Sequence, residues 1–183
     1  MNILKVYKND YIKSKWVGGE TSQITIYPNS AQVVNQNFIY RISSATVNID
    51  SKFTKYNNYQ RFITTLDNSI TLNDTIISPL VPYKFDGDVE TNSKGICIDF
   101  NLICKKNLEC DMQIKKNNFK MLFNSYNHYI IYASEDCRVI INNVEYNILK
   151  EDSLLIYEDS FELECIINKG YIIICSIKLD ETI

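Results

Sequence analysis

Histidine is almost missing from this sequence, with His128 standing alone among 183 residues. That excludes a site built from two or three imidazoles, the usual donor set of a catalytic zinc ion, and any Ser-His-Asp arrangement would have to run through this one residue. The six cysteines, Cys97, Cys104, Cys110, Cys137, Cys165 and Cys175, include no Cys-x-x-Cys pair. A structural zinc site needs such closely spaced ligands, so no metal site and no cofactor is expected. Most of these cysteines sit in apolar, strand-like runs and read as reduced core residues. Only five glycines and three prolines are present, which excludes collagen-like and low-complexity chains. No apolar run approaches the roughly 20 residues of a membrane-spanning helix, and Met1 to Lys8 offers too short an apolar stretch for a signal peptide. The expectation is a cytoplasmic protein with no membrane partner. Positive charge is not in excess either: 19 Lys and Arg against 22 Asp and Glu give a net charge of −3. The term that normally dominates nucleic-acid affinity is therefore absent, and small ligands become the expected partners.

What the chain does have is 45% hydrophobic and 22% charged residues, the composition of an ordinary globular protein. Runs rich in Ile, Val, Tyr, Phe and Thr recur at short intervals between Asn, Asp, Ser and Gly, and no long segment shows helical periodicity. Strands are expected over residues 23–27, 37–47, 60–66, 69–76, 95–104, 112–116 and 119–123. Further strands are expected over 129–133, 138–141, 144–149, 161–167 and 171–179. Asp67-Asn68, Lys116-Asn117-Asn118, Asn142-Asn143 and Asn168-Lys169-Gly170 carry the chemistry of hairpin turns, so sequential strands are expected to pair antiparallel. The class is all-β, a sandwich or jelly-roll barrel whose interior is the natural ligand site.

Three constellations carry candidate chemistry, all between Trp16 and Asn101. In Trp16-Val17-Gly18-Gly19 an indole wall stands beside glycines that let backbone approach a ligand; the structural alternative is a glycine bend feeding the next strand. Arg41 and Arg61 are two of only three arginines, and both fall inside apolar strand segments. A guanidinium there clamps a carboxylate, pairs with Asp99 in a structural network, or faces solvent on an outer wall. In Cys97-Ile98-Asp99-Phe100-Asn101 the strand alternation puts Asp99 and Asn101 on one face. An inward Asp99 must be paired or protonated, and it could serve in proton transfer. Asp86-Gly87-Asp88 falls short of the oxygen count calcium requires and reads as a tight turn. His128, at the edge of an expected strand, has no nucleophile motif beside it.

Trp16-x-Gly18-Gly19-x-Thr21-x-Gln23-Ile24, Arg41-Ile42-Ser43-Ser44-Ala45 and Ser51-x-Phe53-Thr54 occur in order. They are followed by Arg61, Phe85-x-Gly87-Asp88 and Gly95-x-x-x-Asp99-Phe100-Asn101-Leu102. This ordered set resembles the HutD/Ves family, over the first half of the chain; beyond about Lys106 the match is one of length and strand character. The chain departs from the family at Val17, where an Asn-Gly-Gly-Gly run often begins, and at Gln60, where an acidic residue often precedes the arginine. The resemblance implies a bicupin-like double jelly-roll barrel, divided here at residues 1–104 and 105–183. It also implies a link to bacterial histidine utilisation and a regulatory, ligand-sensing role. Carried over by position, Trp16, Arg41, Arg61, Asp99 and Asn101 surround the pocket. The expected ligand is a small carboxylate such as formylglutamate or formiminoglutamate, and a homodimer is allowed. Two other readings stay open: a metal-independent isomerase or hydrolase with Asp99 as general base, and a structural oligomer with a vestigial pocket.

Overall fold

A computed structural model describes residues 2–158 and 160–179. Among them are nineteen strands, single turns of 3-10 helix at Lys8–Asp10 and Val33–Asn35, and no α-helix. In chain order the first strands are β1 (Asn2–Val6), β2 (Ile12–Trp16), β3 (Gly19–Tyr27), β4 (Tyr40–Val47), β5 (Ser51–Lys52) and β6 (Tyr59–Thr65). Next come β7 (Ile70–Leu72), β8 (Thr75–Ile77), β9 (Tyr83–Asp86), β10 (Asn92–Lys94), β11 (Cys97–Lys105) and β12 (Glu109–Lys115). The last are β13 (Phe119–Phe123), β14 (His128–Ala133), β15 (Cys137–Ile141), β16 (Val144–Ile148), β17 (Ser153–Tyr157), β18 (Phe161–Ile166) and β19 (Ile172–Lys178). No helix among the described residues is long and apolar enough to cross a membrane.

The chain forms two compact units. One is continuous, Tyr11–Asn107; the other is split, joining the residues through Asp10 to those from Leu108 onward. The split unit has a five-stranded sheet in the order β1-β17-β14-β19-β12 and a four-stranded sheet β13-β18-β15-β16. One apolar cluster draws on both: Tyr129, Ile131, Leu154, Ile156, Ile172 and Ile174 from the first, Val139, Ile141, Phe161, Leu163 and Cys165 from the second. The alternation of inward apolar residues along β15 and β18 is what a two-layer sandwich requires. The continuous unit pairs a six-stranded sheet, β2-β3-β4-β11-β6-β9, with a sheet of very short strands, β5-β10-β7-β8. Val47, Ile63 and Cys97 of the large sheet pack with Ile70, Leu72 and Ile77 of the small one.

Every ladder between named strands is antiparallel. Two expectations are corrected. The sheets do not close into barrels: each of the four is open, its terminal strands paired on one side only. Of the four turns expected to make hairpins, only Asn142-Asn143 does, with φ of 47° and 67° between the paired strands β15 and β16. The other three carry the chain from one sheet to the facing one, because β6 and β7, β12 and β13, and β18 and β19 lie in different sheets. Turn chemistry fixes a reversal of direction, whereas the partner is chosen by which face must be buried. The cysteines are free thiols, all buried except the half-buried Cys110.

Candidate functional site

The site follows from a mismatch of strand lengths in the continuous unit. Strands β4 and β11 run for eight and nine residues, but the strands of the facing sheet run for only two or three. The small sheet covers one end of the large one. Towards the other end, inward side chains of β4, β6 and β11 meet the segment after β5 and line a cavity of about 250 Å³.

Register brings the polar residues together. Ile103 of β11 lies between Arg41 of β4 and Arg61 of β6, so both guanidiniums stem from one cross-strand row. Two residues along β11, Asn101 is flanked by Ser43 and Ile63; two further, Asp99 is flanked by Ala45 and Thr65. Antiparallel partners point to the same side of a sheet. The alternation that puts Cys97 and Ile63 in the core therefore aims Asp99, Asn101, Arg41 and Arg61 inward as well. All five residues singled out in the sequence, Trp16, Arg41, Arg61, Asp99 and Asn101, line this one cavity.

Arg61 is 6% exposed and held from several sides. Its Nη1 donates to the Thr54 carbonyl at 3.3 Å and its Nη2 to Asn101 Oδ1 at 3.1 Å. The rings of Phe85, Phe53 and Tyr56 surround the guanidinium at 4.9, 5.2 and 5.8 Å, where their faces offer negative potential to a desolvated cation. Its Nε is buried and has no hydrogen-bond partner among the described residues, and a lone buried donor costs about 1–3 kcal/mol. Arg41 Nε donates to Gln23 Oε1 at 2.8 Å; Gln23 sits at a β-bulge in β3, next to the row of Arg41. Asn101 links the charges, because its Nδ2 donates to Asp99 Oδ1 at 2.6 Å while its Oδ1 accepts from Arg61.

Burial governs the ionisation of this cluster. Desolvation pulls Arg61 down to about 10, opposed by Tyr56 and Asp99, and it lowers Arg41 as well, opposed by Tyr56. Both guanidiniums remain charged at neutral pH. Desolvation pushes the Asp99 carboxyl up to about 7, against the opposing pull of Arg61, the Ala45 amide, Asn101 and Arg41.

At the cavity rim Trp16 is 37% exposed and its Nε1 donates to Thr21 Oγ1 at 3.2 Å. The paired glycines serve the hairpin itself. A Cβ on Gly18 would fall 1.9 Å from the Trp16 ring, and one on Gly19 would fall 1.7 Å from the Thr46 carbonyl oxygen. Glycine is required there for the indole to fold back over its own turn and for β3 to approach β4.

Gln23, which braces Arg41, and Phe53 and Phe85, which cage Arg61 with Tyr56, stand in the sequence motifs without being placed at the pocket, and Tyr56 stands in none of them. Phe85 is the cross-strand partner of Arg61, a relation that only the β6–β9 pairing reveals. The other candidates lie elsewhere. Asp86 and Asp88 form a turn in which the Asp88 amide donates to Asp86 Oδ1, and Lys106 Nζ bonds both carboxylates. His128 is half-buried at the start of β14, edge-on to Tyr157 at 4.5 Å, with its pKa pulled down to about 4 by burial. Among the described residues no group of three or more His, Cys, Asp or Glu side chains is placed to hold a metal ion.

A family model described as HutD matches residues 8–174. No curated protein matches the sequence. Among solved structures, a conserved protein of unknown function from Pseudomonas aeruginosa superposes with a TM-score of 0.87 at 16% identity, over 98% of this chain and 100% of its own. HutD from Pseudomonas fluorescens, solved in a formate condition, superposes at 0.80 with 20% identity, over 97% and 98% of the two chains. A cupin 2 conserved barrel domain protein from Leptotrichia buccalis gives 0.59 at 8% identity, over 96% of each. At these identities the structural likeness establishes a cupin-like fold and nothing finer.

Proposed function

This chain belongs to the HutD family, and from that premise we propose that it binds a small carboxylate in the cavity of its continuous unit. The observation that carries the reading is Arg61. It is a buried guanidinium, caged by three aromatic rings, on the wall of a cavity. A carboxylate supplies the acceptor this fork is built for. Arg41, braced by Gln23, adds a second positive charge from the neighbouring strand, and Trp16 walls the rim. A cavity of about 250 Å³ suits a ligand of amino-acid size. The family context favours a histidine-degradation intermediate such as formylglutamate or formiminoglutamate, and with it a regulatory, ligand-sensing role. We read the two sandwiches as the paired jelly rolls of a bicupin; what supports this is the cupin-like neighbours and the two separate cores.

The test is a thermal-shift titration with N-formyl-L-glutamate, glutamate, urocanate and histidine, repeated on Arg61→Met and Arg41→Ala. Methionine fills the volume of the arginine stem without burying a charge, so the Arg61 variant is expected to stay folded. Concentration-dependent stabilisation of the wild type that disappears in the folded variants is the expected result. No stabilisation by any of the acids overturns the reading.

Asp99 favours a second reading. A carboxyl pushed up to about 7 beside two guanidiniums has the properties of a general base acting next to a bound acid group, as a metal-independent isomerase or hydrolase would use it. Hydrogen exchange at carbon in D2O, catalysed by wild type and abolished in Asp99→Asn, would establish it. Binding without exchange or turnover removes it.

A further inference from the structure

Resting on the carboxylate-binding reading of the cavity, we propose that the site takes up a proton together with its ligand, and that the proton goes from solvent to the Asp99 carboxyl. Asp99 lines the cavity yet is 2% exposed, so its negative charge depends on what the protein places around it. Among the described residues no ion pair joins it directly to an arginine. The Asn101 carboxamide stands between, accepting from Arg61 and donating to Asp99 Oδ1. The charged or titratable groups around it are Arg41 from β4, Arg61 from β6 and Cys97 two residues back on its own strand, with Tyr56 acting through the two arginines. Of these only the guanidiniums favour the carboxylate form.

An anion seated on those same guanidiniums removes that support twice over. It neutralises the positive charge that holds Asp99 ionised, and it brings a second negative charge into the cavity. The carboxyl is already pushed up to about 7 in the empty site by burial, so little further change makes it neutral. Once protonated, it presents an O–H where a carboxylate ligand needs a donor, and one buried group passes from repelling the ligand to holding it. Two carboxylates sharing one confined site behave in this way, one of the pair keeping its proton.

The experiment is calorimetric titration of the full chain with N-formyl-L-glutamate at about pH 6 and about pH 8.5, in buffers of different ionisation heat. The affinity is expected to weaken by about tenfold or more across that range, with close to one proton taken up per ligand at the alkaline end. Asp99→Asn, neutral at every pH, is expected to lose this slope; the proton count on the wild type stands without it. Saturable binding with a flat pH profile and no proton uptake overturns this inference and leaves the carboxylate reading standing. A variant that keeps the wild-type slope also overturns it. No binding at either pH overturns both.

Discussion

The two units are both β-sandwiches, and they fill their interiors in opposite ways. Between its sheets the split unit has one continuous apolar cluster in which Phe161 stacks on Phe123 at 5.1 Å and meets Tyr129 edge-on at 4.9 Å. The continuous unit has two smaller apolar clusters, one around Val47, Ile63 and Cys97 and one around Ile26, Phe38 and Ile103, and on the same inward face it carries Arg41, Ser43, Asn101, Asp99 and Arg61. The largest apolar cluster and the polar cavity therefore lie in different units of one chain. An interior packed to crystal density has no room for a ligand, and an interior with room for one must tolerate buried charge and an unpaired donor.

Removing packing from the split unit sharpens this contrast most. Phe161→Ala leaves a hole beside Phe123 and Tyr129 and is expected to cost about 3–5 kcal/mol in urea denaturation, with any ligand affinity of the folded protein unchanged. In the continuous unit, Asn101→Leu keeps the volume but strips Arg61 Nη2 of its acceptor and Asp99 of its donor. The expected loss is about 1–3 kcal/mol, accompanied by loss of ligand-induced stabilisation. A variant that lost only stability would make the polar row structural.

Subtler is the response to pH, which should run in opposite directions. The folded Asp99 has a raised pKa, so its stabilising contribution is complete below the unfolded value near 4 and is lost as pH rises towards 7. His128 has a lowered pKa, so its contribution is present above the unfolded value near 6.5 and is lost as pH falls towards 4. Denaturation midpoints measured from about pH 4 to pH 8 should lose their alkaline decline in Asp99→Asn and part of their acid decline in His128→Gln. Equal slopes in both variants would break the comparison.

Much of this is legible in the amino-acid sequence alone. Alternation placed Asp99 and Asn101 on one face of β11, and the scarcity of arginine drew the eye to Arg41 and Arg61. What escaped was whatever depends on partners remote in sequence. β2 was missed because all five of its residues are exposed, leaving no burial period to read. β17 was missed for the opposite reason, since Ser153-Leu154-Leu155-Ile156 is buried on both faces and does not alternate. The run expected as one strand over 69–76 turns back at Asn73, with φ of 50°, into the paired strands β7 and β8. The aromatic cage of Arg61 assembles from two segments, the Phe53–Tyr56 stretch after β5 and Phe85 on β9, so no local pattern announces it.

The order of these segments also has a consequence in time. Strand β1 leaves the ribosome ahead of the other eighteen strands, but among the described residues its one sheet neighbour is β17, paired from Asn2↔Tyr157 to Val6↔Ser153. At a synthesis rate of about 5–20 residues per second, the nascent chain carries this segment unpaired for roughly 8 to 30 s, while about 150 residues follow it. During that interval all the strands of the continuous unit have emerged and have their partners within Tyr11–Asn107. The unit that carries the polar cavity can thus be complete on the ribosome before the other unit has received its last strand.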